Sequence, residues 1–288
     1  MHATGSHSPI SGSHLRHWPR SPRPLLIALA LALLLSACSS SQSSGLTLTG
    51  STSVTPFAEH LAELFQKQHP GTAINIQGLG SSAGIRAAID GVAEIGMSSR
   101  DLQPEETAKL DQIVIARDAL AVIVNPNNPI AGLSTAQIQG IFTGEIRSWA
   151  EIGGPAQAIT LVSREAGSGT FGAFEDLVMK GKPITTLALR QGSNGAIRQI
   201  VAEDPNAIGY ISLGIADQTV KALAIDNVVP SVEHVEAGTY KLVRPFLFIW
   251  RKGQQLSPLG QSFVDYTMSP AGQDELTKAG LVKGTASR

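Results

Sequence analysis

Two patterns of apolar and polar residues, one typical of strands and one typical of helices, alternate along the chain from residue 46 onward. Short runs rich in apolar residues, typical of buried strands, are each followed by a segment in which apolar residues recur every three or four positions, as on one face of a helix. The first strand and helix are predicted at Leu46–Leu48 and Phe57–Gln68, and the second pair at Ala73–Ile76 and Ile85–Asp90. This order predicts a mostly parallel sheet with helices on both faces.

The same alternation continues to the C-terminus, with one break at the proline-rich segment Asn125–Pro129. Before the break, the pattern predicts a strand at Glu94–Met97, a helix at Pro104–Leu110 and two β-rich runs at Gln112–Ala116 and Ala119–Val124. After it, the predicted helices are Thr135–Phe142, a helix from Gly169, Ala196–Ala202, Leu259–Met268 and Gly272–Ala279, and the predicted strands are Ile159–Val162, Ala207–Ile211, Lys221–Ile225 and Val243–Trp250. We therefore predict an α/β protein with two lobes, residues 46–124 with 242–288 and residues 125–241, and a ligand cleft between them.

The first 38 residues have the pattern of an export signal rather than of a folded domain. Three arginines precede the apolar run Leu25–Leu35, which is too short to span a bilayer and suits the hydrophobic region of a signal peptide. Leu35–Cys38 fits a bacterial lipoprotein cleavage box, in which small residues precede a cysteine. The alternative is an ordinary secretory signal with an unrelated cysteine. We predict a signal segment at residues 1–38, lipidation at Cys38 and a flexible serine-rich tether at residues 39–45.

Charge and composition exclude several classes of protein. The net charge of −1 provides no basic excess to attract nucleic acid, so an anionic ligand must be held by local donors. The chain contains a single cysteine and no paired histidine or cysteine spacing, so neither an internal disulfide nor a metal site is predicted. The lysine-containing phosphate loop of nucleotide hydrolases is absent, and Gly78-x-Gly80-x-x-Ala83 is a weak match to the dinucleotide fingerprint. We therefore predict no cofactor.

Three segments rich in glycine and hydroxyl residues each lie between a predicted strand and a predicted helix: Gly50–Pro56, Gly78–Gly84 and Arg164–Thr170. The first backbone N–H groups of a helix have no partner within the helix and carry the positive end of its dipole. Glycine lets an oxyanion approach these N–H groups closely, hydroxyl side chains add donors, and Arg164 adds a planar two-pronged one. An ordinary loop with a serine cap is the alternative for each segment taken alone. Together, the three segments predict an oxyanion site.

Gly80–Gly84 also matches G-x-S-x-G, the nucleophile motif of α/β-hydrolases, with Ser82 as the nucleophile. A hydrolase of this kind needs a histidine base, and the candidates after the signal segment are His60, His69 and His234. The first two lie on or just after an amphipathic helix, where solvent exposure is expected, and His234 lies in a polar segment. We therefore expect no catalytic residue and no enzymatic activity, with a hydrolase using Ser82 as the alternative.

A series of motifs in a fixed order resembles the phosphate-binding lipoproteins of bacterial high-affinity phosphate ABC transporters. The motifs are Gly50-Ser-Thr-Ser, Gly80-Ser-Ser-Ala-Gly, Ile95-Gly-Met-Ser-Ser-Arg, Arg164-Glu-Ala-Gly-Ser-Gly-Thr and Ala207-Ile-Gly-Tyr. The resemblance covers Leu46–Gly284 and implies a two-lobed periplasmic-binding-protein fold of type II, whose lobes close on one phosphate ion. It also implies a protein of the periplasm or cell surface that delivers phosphate to an inner-membrane ABC transporter permease. We expect a lipid-anchored monomer with no nucleic-acid partner.

The phosphate-binding residues implied by this resemblance come from the three hydroxyl-rich segments and from the end of the third strand. They are Thr52, Ser53, Ser81, Ser99, Arg100, Arg164, Ser168, Gly169 and Thr170. Some family members carry an aspartate where this chain has Ser99 followed by Arg100. A fixed carboxylate would accept the proton of phosphate and repel sulfate, whereas a hydroxyl can either accept or donate. Phosphate is therefore the expected ligand with sulfate as a measurable competitor, and a protein for another tetrahedral oxyanion, such as sulfate, is the alternative.

Overall fold

The computed structural model describes residues 45–285 of the chain. The predicted signal segment, the lipidation site Cys38 and the tether up to residue 44 lie outside the described residues. Within residues 45–285, no helix is both long enough and apolar enough to cross a membrane.

Strands and helices alternate along the described chain, as the residue pattern predicts. The strands are β1 (Leu46–Gly50), β2 (Ile74–Gly78), β3 (Ile95–Ser98), β4 (Leu110–Val124), β5 (Gly132–Leu133), β6 (Thr160–Arg164), β7 (Leu189–Gln191), β8 (Ala207–Ser212), β9 (Lys221–Ala222), β10 (Ala224–Ile225), β11 (Val243–Arg251) and β12 (Val282–Thr285). The α-helices are α1 (Thr55–Gln68), α2 (Ser81–Asp90), α3 (Pro104–Thr107), α4 (Thr135–Thr143), α5 (Gly169–Phe174), α6 (Asn194–Glu203), α7 (Val232–Glu236), α8 (Pro258–Met268) and α9 (Pro270–Lys278). A π-helical turn, Glu175–Met179, continues α5, and 3₁₀ turns occur at Trp149–Ile152 and Leu213–Ile215.

Local sequence signals explain where several helices begin. α8 and α9 each follow a Ser-Pro step, Ser257-Pro258 and Ser269-Pro270, in which the serine hydroxyl caps the helix and proline supplies a helical φ angle. α1 buries Phe57, Leu61 and Phe65 on one face, at the spacing that predicted it. Short-range chemistry therefore sets the helix starts, while the apolar face sets which side packs on the sheet.

Eight strands form one continuous path through a sheet, in the order β2-β1-β3-β11-β4-β8-β6-β7. Toward its two ends the strands are parallel: β1 pairs with β2 and β3, and β6 pairs with β7 and β8. In the middle, β11 runs antiparallel to β3 and β4, and β4 runs antiparallel to β8. Two parallel units are therefore joined through a pair of long antiparallel strands.

β4 is a single strand of 15 residues, where the sequence predicted two separate runs. The predicted break fell at the polar pair Arg117-Asp118. In the structure, Asp118 lies opposite Arg244 of β11 in the strand register and forms an ion pair with it at 2.9 Å. Because the neighbouring strand supplies the opposite charge, the carboxylate is buried without ending the strand. The helix before β4 is correspondingly shorter than predicted and ends at Thr107 rather than at Leu110.

Hydrophobic cores lie on both faces of the sheet at each of its two ends. In the first lobe, α1, α8 and α9 pack on one face of β1, β3 and β4, and α2 packs on the other face. In the second lobe, α4 and α5 cover one face and α6 covers the other. Along β4, the change from the first lobe's main core to the second lobe's falls between Ala116 and Ala119. The protein thus has two lobes that share β4 and β11, while the boundaries predicted after residue 124 and before residue 242 stay a prediction.

Candidate functional site

Segments that are far apart in the sequence meet between the two lobes. The first lobe contributes the turn after β1, the start of α2 and the end of β3, and the second lobe contributes the turn from β6 into α5. Ser53 Oγ lies 2.8 Å from Thr170 Oγ1, and Arg164 Nη2 donates to Thr52 Oγ1 at 3.2 Å. Both contacts cross from one lobe to the other. The hydroxyl-rich segments therefore form one polar cluster at the junction of the lobes.

Ser81 and Ser99 form the part of this cluster that belongs to α2 and β3. The N–H of Ser99 donates to Ser81 Oγ at 3.1 Å, and Ser51 Oγ donates to Ser99 Oγ at 2.8 Å. Gly169, the first residue of α5, faces them from the second lobe. A Cβ atom on Gly169 would overlap Ser81 Oγ and lie 2.7 Å from Ser99 Oγ. Glycine is therefore what allows the start of α5 to approach the first lobe this closely.

The starts of α2 and α5 supply backbone donors to the cluster. The N–H groups of Ser81 and Gly169 find no acceptor among residues 45–285, as expected for the first residue of a helix. Ser168 is the cap of α5, and its hydroxyl oxygen accepts the N–H groups of Thr170 and Phe171. Because its oxygen is used by the helix, Ser168 can offer its hydroxyl proton to a ligand. Both helix starts can therefore donate to an anion between the lobes.

Arg164 brings positive charge to the cluster, and its side chain is almost completely buried at 1% exposure. Nε donates to the Gln191 carbonyl at 3.0 Å and Nη2 to the Gly192 carbonyl at 2.8 Å, so the guanidinium plane is fixed. Nη1 is the one buried side-chain nitrogen or oxygen in the described part of the chain that has no hydrogen-bond partner. Burial and then the charge of Arg244 lower the pKa of Arg164 to about 10, which leaves it protonated at neutral pH. A bound anion would stabilise this buried cation and satisfy its unused donor.

Arg244 and Asp118 belong to the same cluster, although the sequence analysis did not identify them. Both side chains are buried, and Arg244 Nε donates to Asp118 Oδ2 at 2.9 Å. Arg244 Nη2 also donates to Ser53 Oγ at 3.2 Å, and Nη1 donates to the Ser99 carbonyl at 3.4 Å. Burial raises the pKa of Asp118 and lowers the pKa of Arg244, and their mutual attraction opposes both shifts. A second guanidinium, already partnered by a carboxylate, is therefore hydrogen-bonded to the hydroxyl of Ser53.

Asn194, the first residue of α6, is another buried member of the cluster that the sequence analysis missed. Its Nδ2 donates to Ser53 Oγ at 2.8 Å and to Thr52 Oγ1 at 3.3 Å. Its Oδ1 accepts the backbone N–H of Ser212 at 3.2 Å. Asn194 therefore connects the second lobe to the two hydroxyls that follow β1.

Arg100, predicted to contact phosphate, does not join the cluster as a donor in this structure. Its Nη1 and Nη2 donate to the two carboxylate oxygens of Glu106 at 2.8 and 2.9 Å, and Nη1 also donates to the Asp101 carbonyl. This two-pronged pairing raises the pKa of Arg100 and uses the guanidinium edge that an oxyanion would need. The aliphatic part of the side chain instead faces α5, where a Cβ on Gly172 would lie 3.0 Å from Arg100 Cδ. Arg100 thus contacts the second lobe through its carbon atoms.

Several known proteins are similar to this chain in fold and in sequence. The sequence profile of the PBP superfamily domain matches residues 36–271. The phosphate-binding protein PstS of Bacillus subtilis is 32% identical over 233 residues, which cover 79% of this chain and 76% of that protein. A crystal structure described as a phosphate ABC transporter substrate-binding protein from Clostridium perfringens, with bound phosphate, has a TM-score of 0.81 at 42% identity and covers 83% of this chain and 99% of its own. The chain belongs to the PstS family of phosphate-binding proteins.

A second solved structure supports the same fold for this PstS family member. The ABC-type phosphate transport receptor from Vibrio cholerae is 35% identical, has a TM-score of 0.70, and covers 82% of this chain and 99% of its own. These relatives are transport binding proteins rather than enzymes. The two-lobed periplasmic-binding-protein fold predicted from the sequence is therefore confirmed.

The G-x-S-x-G motif in this PstS family member is not accompanied by a histidine base in the described part of the chain. Ser82 is exposed near the start of α2, and its N–H donates to the Gly167 carbonyl across the lobes at 3.1 Å. His60 bonds instead to Glu275, and His234 bonds to a backbone carbonyl. Among residues 45–285, no histidine forms a hydrogen bond with Ser82. The motif serves in this structure as a helix start and as a contact between lobes.

Proposed function

We propose that this protein captures one inorganic phosphate ion between its two lobes, outside the cytoplasm, and delivers it to an ABC transporter. The observation that carries the proposal is the unpartnered Nη1 of buried Arg164, within a cluster of hydroxyl groups contributed by both lobes. Phosphate offers negative charge and oxygen acceptors to these donors. The phosphate named for the Bacillus and Clostridium relatives supports this choice of anion. The proposal includes no chemical step, because Ser82 lacks a histidine base within residues 45–285.

The proposed contacts use the donors that the fold leaves available. Burying an anion with unsatisfied oxygens is prohibitive, so donors must converge on it from several loops. The fold supplies such donors: the Nη1 of Arg164, two N–H groups at helix starts, and the hydroxyls at the ends of β1, β3 and β6. The proposed phosphate-binding residues are Thr52, Ser53, Ser81, Ser99, Arg164, Ser168, Gly169 and Thr170. Arg100 is left out because Glu106 already occupies its guanidinium.

Opening and closing of the lobes are part of the proposed function. The N–H of Ser82 donates to the Gly167 carbonyl across the lobes, and the hydroxyls of Ser53 and Thr170 also meet across the lobes. Ser53 and Thr170 are buried, so an ion reaches them when the lobes separate. Phosphate that contacts both lobes favours the closed form, because only that form satisfies donors on both sides at once. The shared strands β4 and β11 are the connection about which the lobes would move.

The proposed partners follow from the same arrangement. A lipid on Cys38 would hold the protein on a membrane, where an inner-membrane ABC transporter permease receives the phosphate. We propose that the protein acts as a monomer, because one chain supplies donors from both sides of its own cleft. No nucleic acid is needed as a partner.

Isothermal titration calorimetry on the purified full-length protein tests the proposed function. We expect saturable binding of one phosphate per chain at neutral pH, with sulfate displaced by phosphate but measurable on its own at high concentration. Circular dichroism establishes that the sample is folded. A folded protein that binds no phosphate would refute the proposal, and tighter binding of sulfate than of phosphate would assign the protein to the other oxyanion.

A further inference from the structure

We infer that Asn194 is a positioning residue that makes the hydroxyls of Thr52 and Ser53 obligatory donors to the bound oxyanion. The inference rests on the proposed phosphate-binding function and adds to it a reason for the direction of these hydrogen bonds. It concerns the turn after β1, which we call the Thr52–Ser53 corner.

The amide of Asn194 has a fixed orientation. Its Oδ1 accepts the backbone N–H of Ser212, a group that can donate but cannot accept. The NH₂ end must therefore face the Thr52–Ser53 corner. Its two N–H groups are used there, one for each hydroxyl, at 3.3 and 2.8 Å.

Each hydroxyl in the corner accepts a second hydrogen bond from a guanidinium. Thr52 Oγ1 accepts from Arg164 Nη2 at 3.2 Å, and Ser53 Oγ accepts from Arg244 Nη2 at 3.2 Å. A hydroxyl oxygen has two lone pairs and one proton. Amide NH₂ and guanidinium groups can only donate, so both lone pairs of each oxygen are used. The proton of each hydroxyl must then be given to another acceptor.

The remaining contacts agree with this assignment. Ser53 Oγ lies 2.8 Å from Thr170 Oγ1, so in this structure Ser53 is the donor of that hydrogen bond and Thr170 keeps its own proton to donate elsewhere. An anion that enters between these two hydroxyls replaces Thr170 as the acceptor of the Ser53 proton. The proton of Thr52 has no acceptor within the described residues. Hydroxyl protons that could rotate freely are thus fixed as donors, and an anion entering between the lobes meets no hydroxyl lone pair at this corner.

This arrangement determines which phosphate oxygens the corner can bind. Because the two hydroxyls of the corner can only donate hydrogen bonds, they suit an ionised phosphate oxygen. A protonated oxygen needs an acceptor for its own proton. Ser99 Oγ accepts from Ser51 and lies 3.4 Å from Ser81 Oγ, where either hydroxyl can donate; when Ser99 donates to Ser81, one lone pair of Ser99 is left for a P–OH group. The corner itself does not distinguish phosphate from sulfate, since both present ionised oxygens. Asn194 therefore fixes the orientation in which phosphate binds, with its ionised oxygens at the corner.

The charged side chains around the corner come from three different strands. Arg164 lies on β6 and Arg244 on β11, and each donates to one corner hydroxyl. Asp118 of β4 is bound to Arg244 and Ser212, so its carboxylate is directed to those partners. Asn194 is the neutral member that connects the two hydroxyls, and it can be changed while both guanidinium groups are retained.

Asn194→Asp reverses the direction of the hydrogen bonds at the Thr52–Ser53 corner with little change in the shape of the side chain. The carboxylate keeps an acceptor for the Ser212 N–H but accepts from Thr52 and Ser53 instead of donating to them, so lone pairs face the ligand. By calorimetry, we expect sulfate binding to weaken by about 100-fold or more, the loss of two hydrogen bonds of about tenfold each. We expect phosphate to lose less as the pH is lowered and its oxygens become protonated, because P–OH groups can donate to the reversed hydroxyls.

Asn194→Ala separates hydrogen-bond direction from added negative charge. It frees one lone pair on each hydroxyl without introducing a carboxylate, so the hydroxyls can rotate to accept from phosphate. We expect sulfate to weaken by about tenfold and phosphate by less, so that the ratio of phosphate to sulfate affinity rises. Asn127→Asp, on an exposed loop, is the matched control for surface charge and should leave both affinities unchanged.

Thermal unfolding of each variant shows whether it is folded. If Asn194→Asp does not fold, the affinities of Asn194→Ala test the inference. Equal loss of phosphate and sulfate affinity at every pH, or no loss, would show that Asn194 has only a structural role. That result would overturn this inference but leave the proposed phosphate-binding function standing. A wild-type protein that binds neither ion would overturn the proposed function together with the inference.

Discussion

Arg164→Ala distinguishes a phosphate site from a purely structural polar cluster. Two of the three guanidinium nitrogens are held by the carbonyls of Gln191 and Gly192, and Nη1 has no protein partner. The substitution therefore removes a positive charge and a donor that the protein itself does not use. If the donor exists for phosphate, affinity must fall more than for loss of any single hydroxyl.

The structure sets the size of the expected effect. Nη1 carries two N–H groups, and a hydrogen bond from a charged donor contributes about 1.5–3 kcal/mol. Allowing for imperfect geometry in the second bond, we expect a loss of about 2–4 kcal/mol, or about 30- to 1,000-fold in Kd. Ser81→Ala removes one bond from a neutral donor, of about 0.5–1.5 kcal/mol, or about 2- to 10-fold.

Calorimetry on the wild type and both variants under identical conditions gives this ranking. Arg86→Ala is the matched control, because Arg86 is an exposed arginine paired with Asp90 on the outer side of α2. It should bind phosphate as the wild type does. Wild-type affinity in Arg164→Ala, or a smaller loss than in Ser81→Ala, would show that phosphate binds somewhere else.

Three further predictions follow from the site and the chain. Gly169→Ala should weaken phosphate binding by about tenfold or more, since the added Cβ would overlap Ser81 Oγ in the closed form, whereas Gly167→Ala, where a Cβ meets nothing within 4 Å, should not. Ser99→Asp should lower sulfate affinity relative to phosphate by about 100-fold in competition calorimetry, because a fixed acceptor repels an unprotonated oxygen. Metabolic labelling with a fatty acid should mark the wild type and not Cys38→Ser, and equal labelling of both would exclude lipidation at that cysteine.

The parts of the site that could be predicted from the sequence are those with short-range signals. Glycine and hydroxyl residues between a strand and a helix mark the segments around Ser53, Ser81 and Thr170, since the chemistry of a helix start is local. The order of these motifs along the chain resembled one family. The structure brings all three segments together at the junction of the lobes.

The missed residues make their contacts over long sequence separations. Arg244 and Asp118 are 126 positions apart, and Asn194 and Ser53 are 141 apart, so no periodic pattern connects them. Asp118 even suggested a break in β4, because its partner charge lies on another strand. Arg100 is the opposite case: its motif position suggested a contact with the ligand, while in this structure Glu106, six residues further on, takes up its guanidinium.

A crystal structure of the wild-type protein with phosphate tests capture between the lobes most directly. We predict one phosphate ion at the junction of the lobes, with an oxygen about 3 Å from Arg164 Nη1. Its ionised oxygens should accept from Thr52 and Ser53 of the first lobe, and Thr170 should donate from the second. Phosphate bound elsewhere, or a phosphate that leaves Arg164 Nη1 without a contact, would contradict this account.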